Sequence, residues 1–315
     1  MNILVSAIGG NLGQAICKTI YKHYSNANII GMDAVNPLQG YGLCNELIKV
    51  PFANSINYMA VIKQIVKEHE IDLIIPCNDF EIEKIVENDL LKKITLASEL
   101  KTISTFFDKY LCYTEFNKVG IEFCSTSLPS NYKSEFEKII VKPRKGSGSK
   151  GVVKNPTNLL DFDDKYIIQE LKEGIELTIP FYVNLNNQLL GFLPLIKFGI
   201  APNNSYQTYN MVNNKLHHLL LKIVNAFKIK GPCNLQCILN DDDLYPFELN
   251  CRYSGSVDIQ DELGFDILRI GIEEYFNNIA YLHKPNISNG FAVRQYQSKV
   301  FINKEISDDQ YSSYE

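Results

Sequence analysis

Apolar and polar positions in the first hundred residues predict strands alternating with helices. Apolar runs at residues 3–6, 29–33 and 73–77 are typical of buried strands. Between these runs, residues 15–20 and 59–69 carry apolar side chains at the spacing of one helix face. Because such alternation builds a parallel sheet covered by helices, this part is predicted to be a Rossmann-like α/β domain.

The pattern changes after about residue 104. A helix is predicted from Lys109 to Val119, with Gly120 as its C-cap, and an apolar strand follows within residues 136–144. Further strands are predicted at 166–170, 177–184, 188–197, 233–239 and 245–250, with a helix at 216–227. Their order along the chain favours an antiparallel arrangement from residue 170 onward, so the C-terminal part is expected to be α+β.

A glycine loop with basic residues at both ends joins two of these strands. It reads Lys145-Gly-Ser-Gly-Ser-Lys-Gly151 and follows Lys142-Pro-Arg144. Backbone N–H groups of such a loop can approach phosphate oxygens while lysines neutralise the charge. The order of a Walker loop is missing, and a hairpin tip without a ligand is the alternative.

Three polar side chains alternate along the last predicted hairpin strand. Glu248, Asn250 and Arg252 point to the same face, roughly 6–7 Å apart, and Gln236 lies on the partner strand. Carboxylate and amide oxygens suit a hard cation, and a guanidinium suits a phosphate or carboxylate. The alternative is an edge strand whose polar face is solvated.

The N-terminal region holds two weaker patterns. Gly9-Gly-Asn-Leu-Gly13 followed by Asp33 resembles part of a dinucleotide fingerprint but lacks its first glycine, so a tight strand-to-helix turn is favoured over a dehydrogenase site. Asn78, Asp79 and Glu81 follow a predicted strand at a place where open α/β sheets bind ligands. A helix N-cap with first-turn acids is the favoured interpretation of these three residues.

Composition narrows the function classes. A net charge of −5 gives no reason to expect nucleic acid or an anionic membrane as a partner. The eight cysteines contain no Cys-x-x-Cys pair and are expected to be buried thiols of a reducing compartment. The N-terminus has no basic region followed by a long apolar run, so a soluble, cytoplasmic protein is expected.

Taken in order, these motifs resemble the ATP-grasp superfamily, in its carboxylate–amine ligase and carbamoyl-phosphate-synthase-like branch. The likeness spans nearly the whole chain and rests on five ordered motifs. They are Phe107–Lys109, Val141–Gly151, Ile168–Glu176, Gln236 and Phe247–Arg252. The resemblance implies a Rossmann-like domain at 1–103, an ATP-grasp central and lid subdomain at 104–170, and a C-terminal subdomain with a metal-binding hairpin at 171–315.

The resemblance also implies a role for each matching residue. It implies ATP contacts from Lys109, Lys142, Lys145, Gly146, Ser147, Gly148, Ser149, Gly151, Gln169, Glu170, Leu171, Lys172, Glu176 and Gln236. Among these, Glu170 with the backbone near Leu171 and Lys172 would meet the adenine, and Glu176 would meet the ribose hydroxyls. Gln236, Glu248 and Asn250 would hold two Mg²⁺ ions, with Mn²⁺ able to substitute, although Gln236 stands where the family often has an acid. Lys142, Glu248 and Arg252 would be catalytic, with Arg252 orienting the transferred phosphoryl group or the acceptor carboxylate.

The implied activity is ligation of a small-molecule carboxylate to an amine through an acyl phosphate, with release of ADP and phosphate. A phosphotransferase that stops at an acyl or carbamoyl phosphate and a nucleotide-binding module without turnover are the alternatives. Lys197 and Arg294 are candidate anchors for the acceptor carboxylate, with solvated surface cations as the competing interpretation. A homodimer is expected from the family alone.

Overall fold

The computed structural model describes residues 1–199, 205–209, 214–277, 287–295, 298–302 and 311–314. The chain forms two compact units. Unit 1 comprises residues 1–97, 252–288 and 293–315, and unit 2 comprises residues 98–251 and 289–292. The subdomain boundaries at residues 103 and 170 stay predictions.

Strands and helices are numbered separately in chain order. The strands are β1 (Asn2–Val5), β2 (Asn28–Asp33), β3 (Glu46–Lys49), β4 (Leu73–Ile75), β5 (Thr126–Ser127), β6 (Ile139–Pro143), β7 (Val153–Lys154), β8 (Tyr166–Glu170), β9 (Ile175–Val183), β10 (Leu189–Phe192), β11 (Leu195–Phe198), β12 (Ser205–Thr208), β13 (Gly231–Asn240), β14 (Asp243–Asn250), β15 (Phe291–Val293) and β16 (Ser312–Ser313). The α-helices are α1 (Asn11–His23), α2 (Tyr58–Glu68), α3 (Asp79–Val86), α4 (Asp89–Lys93), α5 (Leu100–Phe107), α6 (Lys109–Lys118), α7 (Asn214–Phe227), α8 (Val257–Glu262) and α9 (Ile267–Asn277). Short 3₁₀ turns lie at Pro37–Gly40 and Pro129–Asn131.

Unit 1 contains the predicted parallel sheet. Its strands lie in the order β16-β3-β2-β1-β4, and neighbouring strands in this order pair in parallel. Apolar side chains such as Leu4, Ile30, Ile62 and Ile74 meet in one buried cluster. The Rossmann-like class predicted for this part is therefore confirmed.

Helix α1 is covered by the C-terminal helices α8 and α9. Lys22 Nζ lies 2.7 Å from Asp261 Oδ2, and His23 Nε2 lies 2.6 Å from Asp261 Oδ1. The Tyr24 hydroxyl donates to Glu273 at 2.7 Å. Residues that follow the predicted ATP-grasp motifs in sequence thus complete the unit that begins the chain.

The Gly9–Gly13 segment forms a tight turn whose polar groups are used internally. Asp33 accepts hydrogen bonds from the backbone N–H groups of Gly9, Val35 and Asn36 at 2.7–3.0 Å. A Cβ added to Gly13 would lie 2.5 Å from the Ala7 carbonyl oxygen, so helix and turn approach too closely for a side chain. These contacts support the strand-to-helix turn rather than a dinucleotide site.

The acids after β4 also serve the fold of unit 1. Asn78 Oδ1 accepts from the Phe80 N–H at 2.9 Å, which confirms it as the N-cap of α3. Ser6 Oγ donates to Glu81 at 2.6 Å, and the Cys77 N–H donates to Ser6 Oγ. Burial raises the pKa of the Glu81 carboxyl to about 7.

Unit 2 is antiparallel, as predicted for the chain from residue 170 onward. One sheet has the order β5-β8-β6-β7, and the other runs β14-β13-β9-β11-β12-β15, with β10 also paired to β9. The predicted strand 188–197 is interrupted between β10 and β11, where Pro194 has no N–H to donate. The α+β class predicted for the C-terminal part is confirmed.

Two further expectations concern cysteines and membranes. All eight cysteines are free thiols, and seven of them are buried, Cys44 being half-buried. Within the described residues, the helices are too short or too polar to cross a lipid bilayer.

Candidate functional site

The β13–β14 hairpin of unit 2 places the predicted metal ligands side by side. Gln236 is the register partner of Glu248, and Asn234 is the partner of Asn250. Directly opposed side chains share one face of an antiparallel pair, so the hairpin presents one carboxylate and three carboxamides together. Asn234 was not predicted, although its position two residues before Gln236 on the same strand is the signal that points to it.

Asn234 is fixed by the neighbouring strand. Its side chain is buried, and its Oδ1 accepts a hydrogen bond from Thr178 Oγ1 at 2.8 Å. Thr178 in turn pairs with Gln236 across β9 and β13. Strand β9 thus stabilises the polar face of the hairpin on the β13 side.

Lys109 brings a positive charge to this face. Its Nζ lies 3.8 Å from Glu248 Oε1 and donates to the Gly146 carbonyl oxygen at 3.0 Å. Lys109 is buried at the first position of α6, a helix that Asp108 caps through the N–H groups of Tyr110 and Leu111. The predicted phosphate-binding lysine therefore contacts both the metal-ligand strand and the glycine loop.

Lys142 on β6 is the second buried lysine of the site. Its Nζ donates to Gln169 Oε1 at 2.8 Å and lies 4.6 Å above the centre of the Phe247 ring. Burial lowers the pKa of the Lys142 ammonium to about 8, while Glu248 opposes the shift and Lys109 adds to it. The protein thus holds a cation where its charge is poorly compensated.

Both polar atoms of the Gln169 side-chain amide make hydrogen bonds. It accepts from Lys142, and its Nε2 donates to Thr126 Oγ1 at 2.9 Å. Gln169 is 1% exposed. The structure therefore places this predicted ATP-contacting side chain behind Lys142, where it orients the ammonium.

The glycine loop is the tip of the β6–β7 hairpin, as predicted. Val141 pairs with Val153 below the tip. Within the loop, Gly148, Ser149 and Gly151 have positive φ angles of 67°, 58° and 73°. Left-handed residues of this kind occur in turns whose N–H groups can bind an anion.

An ion pair anchors the base of the loop. Arg144 Nη2 lies 2.7 Å from Asp108 Oδ2, and Arg144 Nε donates to both Asp108 oxygens at 3.1–3.2 Å. The Arg144 carbonyl oxygen also accepts the Lys109 N–H at 3.0 Å. The Asp108–Arg144 pair was not predicted, and it ties the start of the loop to the helix that carries Lys109.

The segment predicted to contact adenine and ribose follows β8. The Leu171 N–H donates to the Lys138 carbonyl oxygen at 2.9 Å, so it extends the sheet. Lys172 Nζ lies 2.9 Å from Glu170 Oε1 and 4.7 Å above the Tyr245 ring. Glu176, on β9, pairs with Lys197 on β11 at 2.5 Å.

The two candidate anchors for an acceptor carboxylate are both paired. Lys197 contacts Glu176, so it belongs beside the predicted ribose position. Arg294, in unit 1, donates to the Gly255 carbonyl oxygen and lies 3.2 Å from Asp258. These contacts disfavour a solvated surface cation for either residue.

Arg252 also belongs to unit 1. Its Nε donates to both carboxylate oxygens of Asp79 at 3.0 and 2.9 Å, and its Nη1 donates to the Tyr253 carbonyl oxygen. Asp79 is buried, so this ion pair fixes the direction of the guanidinium. The structure therefore assigns Asp79 a partner that the sequence did not reveal.

The donor set of the hairpin fits Mg²⁺. Glu248 supplies a carboxylate, and Gln236 and Asn250 supply amide oxygens on the same face. Hard cations prefer oxygen ligands of this kind, and Mg²⁺ commonly takes one or two carboxylates together with substrate oxygens. The Lys109 ammonium lies 3.8 Å from Glu248 Oε1, so this carboxylate already faces a positive charge in the protein.

Comparison with known proteins gives one family and a set of similar folds. A family model described as the ATP-grasp domain matches residues 106–256. L-amino acid ligase from Bacillus licheniformis superposes with a TM-score of 0.71 at 13% identity, covering 91% of this chain and 77% of that chain. None of the curated proteins matches the sequence significantly.

Two further solved structures share the fold. N5-carboxyaminoimidazole ribonucleotide synthetase from Thermotoga maritima has a TM-score of 0.65 at 16% identity, covering 88% of this chain and 76% of its own. Biotin carboxylase from Campylobacter jejuni, solved as a complex with β,γ-ATP, has a TM-score of 0.64 at 15% identity, covering 87% and 70%. At these identities the likeness establishes the fold.

Proposed function

We propose that this chain, whose residues 106–256 match the ATP-grasp domain, is an ATP-dependent ligase of the ATP-grasp superfamily. It activates a substrate carboxylate as an acyl phosphate and couples it to an amine, releasing ADP and phosphate. The similar structures named as a ligase and a synthetase support this class of reaction.

One observation carries the proposal. Lys142 is buried with a lowered pKa, and Lys109 lies close enough to oppose its charge. Burying a charge without full compensation costs stability, so such a group is typical of a functional site. The phosphates of ATP would supply the missing negative charge.

Each group of residues has a part in binding the nucleotide. Lys109 and Lys142 bind phosphate oxygens, and the loop 145–151 covers them with its N–H groups. Gln236, Glu248 and Asn250 would hold Mg²⁺, which neutralises phosphate charge when it is bound. Glu170, with the backbone near Leu171 and Lys172, would meet the adenine.

The chemistry needs no nucleophile from the protein. A carboxylate oxygen of the substrate forms a bond to the γ-phosphorus while the bond to the β–γ bridging oxygen breaks, and ADP leaves. The amine nitrogen then attacks the acyl carbon, the phosphate leaves, and the nitrogen loses a proton. The loop 145–151 protects the acyl phosphate by excluding water.

The direct experiment is a screen of carboxylate and amine pairs with ATP and Mg²⁺. Phosphate release that requires both substrates, together with an amide detected by mass spectrometry, is the expected result. Phosphate transfer without an amide would replace the ligase with an acyl-phosphate-forming phosphotransferase. Binding of ATP without any phosphate release would leave a nucleotide-binding module.

Glu248→Gln tests the metal-ligand strand. The substitution keeps the side-chain shape but removes the negative charge, so turnover should fall by at least about a hundredfold, the scale of a lost transition-state contact. Thermal unfolding should be little changed, because Glu248 is partly exposed on the site face. The matched control, Glu115→Gln, removes an exposed carboxylate that pairs with Lys118 and should retain full activity. ADP release by Glu248→Gln at the wild-type rate would refute the assignment.

A further inference from the structure

The pair formed by Lys197 and Glu176 lies inside the nucleotide-binding unit. Lys197 Nζ and Glu176 Oε1 are 2.5 Å apart, and the lysine side chain is 17% exposed. The register of β9 and β11, in which Ile196 pairs with Leu177, places the two residues opposite each other on neighbouring strands. The contact therefore follows from the pairing of the sheet.

Glu176 has a second positive neighbour. Its carboxylate lies close enough to Lys142 to favour the charged form of that lysine. A carboxylate near two ammonium groups is attracted to both, and the direct contact at 2.5 Å is with Lys197. The contact with Lys197 therefore decides which way the Glu176 side chain points.

We propose that Lys197 is a positioning residue for the ribose of the nucleotide. By holding Glu176 Oε1, it directs the other oxygen, Oε2, to accept a hydrogen bond from a ribose hydroxyl. The inference rests on the nucleotide site of the proposed function, with Glu176 beside the ribose.

This role differs from two simpler ones. A lysine that contacted a phosphate itself would weaken every nucleotide equally when removed. A lysine that anchored the acceptor carboxylate would leave nucleotide affinity unchanged. A lysine that acts through Glu176 affects only nucleotides that carry the ribose hydroxyls.

Calorimetric titration with ADP and with 2′,3′-dideoxyADP, in the presence of Mg²⁺, separates these roles. The wild-type protein should bind ADP about tenfold more tightly than the dideoxy nucleotide, the scale of one hydrogen bond to a charged group. Lys197→Met should weaken ADP binding by about the same factor and leave dideoxyADP affinity within about twofold. Lys197→Arg, which keeps the charge, should retain more of the discrimination than Lys197→Met.

Lys118→Met is the matched control. It breaks a lysine–glutamate pair at 2.7 Å on the exposed end of α6 and should leave both affinities unchanged. The proposal would be overturned if Lys197→Met lowered the affinity for both nucleotides equally or changed neither affinity. It would also be overturned if the wild-type protein bound the two nucleotides equally well. Because ADP binding is measured without turnover, failure to form an amide would count against the ligase alone.

Discussion

Lys142 combines burial with a positive charge, and this conflict defines the site at the scale of single residues. Its pKa near 8 means that the empty protein holds the ammonium at a cost, with Gln169 as its hydrogen-bond partner. An approaching phosphate reverses that balance, because an opposite charge favours the protonated lysine. Nucleotide binding and protonation of Lys142 are therefore linked.

This linkage predicts proton uptake on nucleotide binding. With a pKa near 8 in the empty protein and a higher pKa beside phosphates, Mg·ADP binding should take up about half a proton at pH 8. The uptake should be small at pH 7, where Lys142 is already protonated, and should approach one proton at pH 9. Calorimetry in buffers of different ionisation enthalpy measures it.

Lys142→Arg is the control for proton uptake, because arginine stays charged over this range and should bind the nucleotide without uptake. Lys145→Met should keep the uptake, since Lys145 is exposed. Uptake that does not rise between pH 7 and pH 9 in the wild-type protein would contradict the linkage.

The sequence predicts which residues share a face more readily than it predicts their partners. Alternation along one strand is enough to align Glu248 and Asn250. Gln236 lies opposite Glu248 only because the strand register shifts between Gln236 and Cys237, and regular pairing from the turn would have placed Gln236 opposite Phe247. The contacts of Lys197 with Glu176 and of Lys109 with Gly146 depend on strand register and loop shape. The spacing of residues along the sequence does not predict either contact.

At the scale of elements, the glycine loop owes its shape to two different kinds of glycine. Gly151 has φ +73°, and a Cβ there would lie 3.0 Å from Pro143 Cγ. Gly146 has no positive φ, and its Cβ would make an ordinary contact at 3.5 Å. The same substitution therefore strains the backbone at one end of the loop and is accommodated at the other.

Gly151→Ala should raise the KM for ATP about fivefold to tenfold, because a strain of roughly 1 kcal/mol or more shifts the loop away from its phosphate-binding shape. Gly146→Ala, its matched control, should change KM by less than about twofold. Initial rates at varied ATP concentration measure both variants. Equal effects from the two substitutions would show that the backbone angle of Gly151 is unimportant.

Elements with strong periodicity were predicted, and short ones were missed. Helices α1, α2 and α7 each bury one apolar face, which the sequence shows directly. Strand β3 was missed because its four residues hold only two consecutive apolar positions. Strand β16 has two residues and exists only through its pairing with β3.

At the scale of the whole molecule, unit 1 is built from separated parts of the chain. Helices α8 and α9 pack on α1, and Asp261 joins Lys22 and His23. No helix was predicted for residues 257–277, and local sequence does not indicate which sheet a helix covers. The family-based division at residue 103 leaves these helices out of the N-terminal domain.

Fragments of the chain test that division. Residues 1–103 alone should lack a cooperative thermal transition, because α1 loses the helices that cover it. Residues 98–251 should unfold cooperatively and bind ADP, because both antiparallel sheets lie almost entirely within them. Circular dichroism on heating and calorimetry with ADP measure the two properties.

Adding residues 252–315 in trans provides the control for the N-terminal fragment. If residues 1–103 fail to fold cooperatively because helices α8 and α9 are absent, adding residues 252–315 should restore a cooperative transition. Lys22 and His23 can then again bind Asp261. An Asp261→Ala version of the added segment should restore less, because both contacts converge on that carboxylate. Cooperative unfolding of residues 1–103 by themselves would contradict this expectation. It would establish residue 103 as the boundary of an independent domain that folds without α8 and α9.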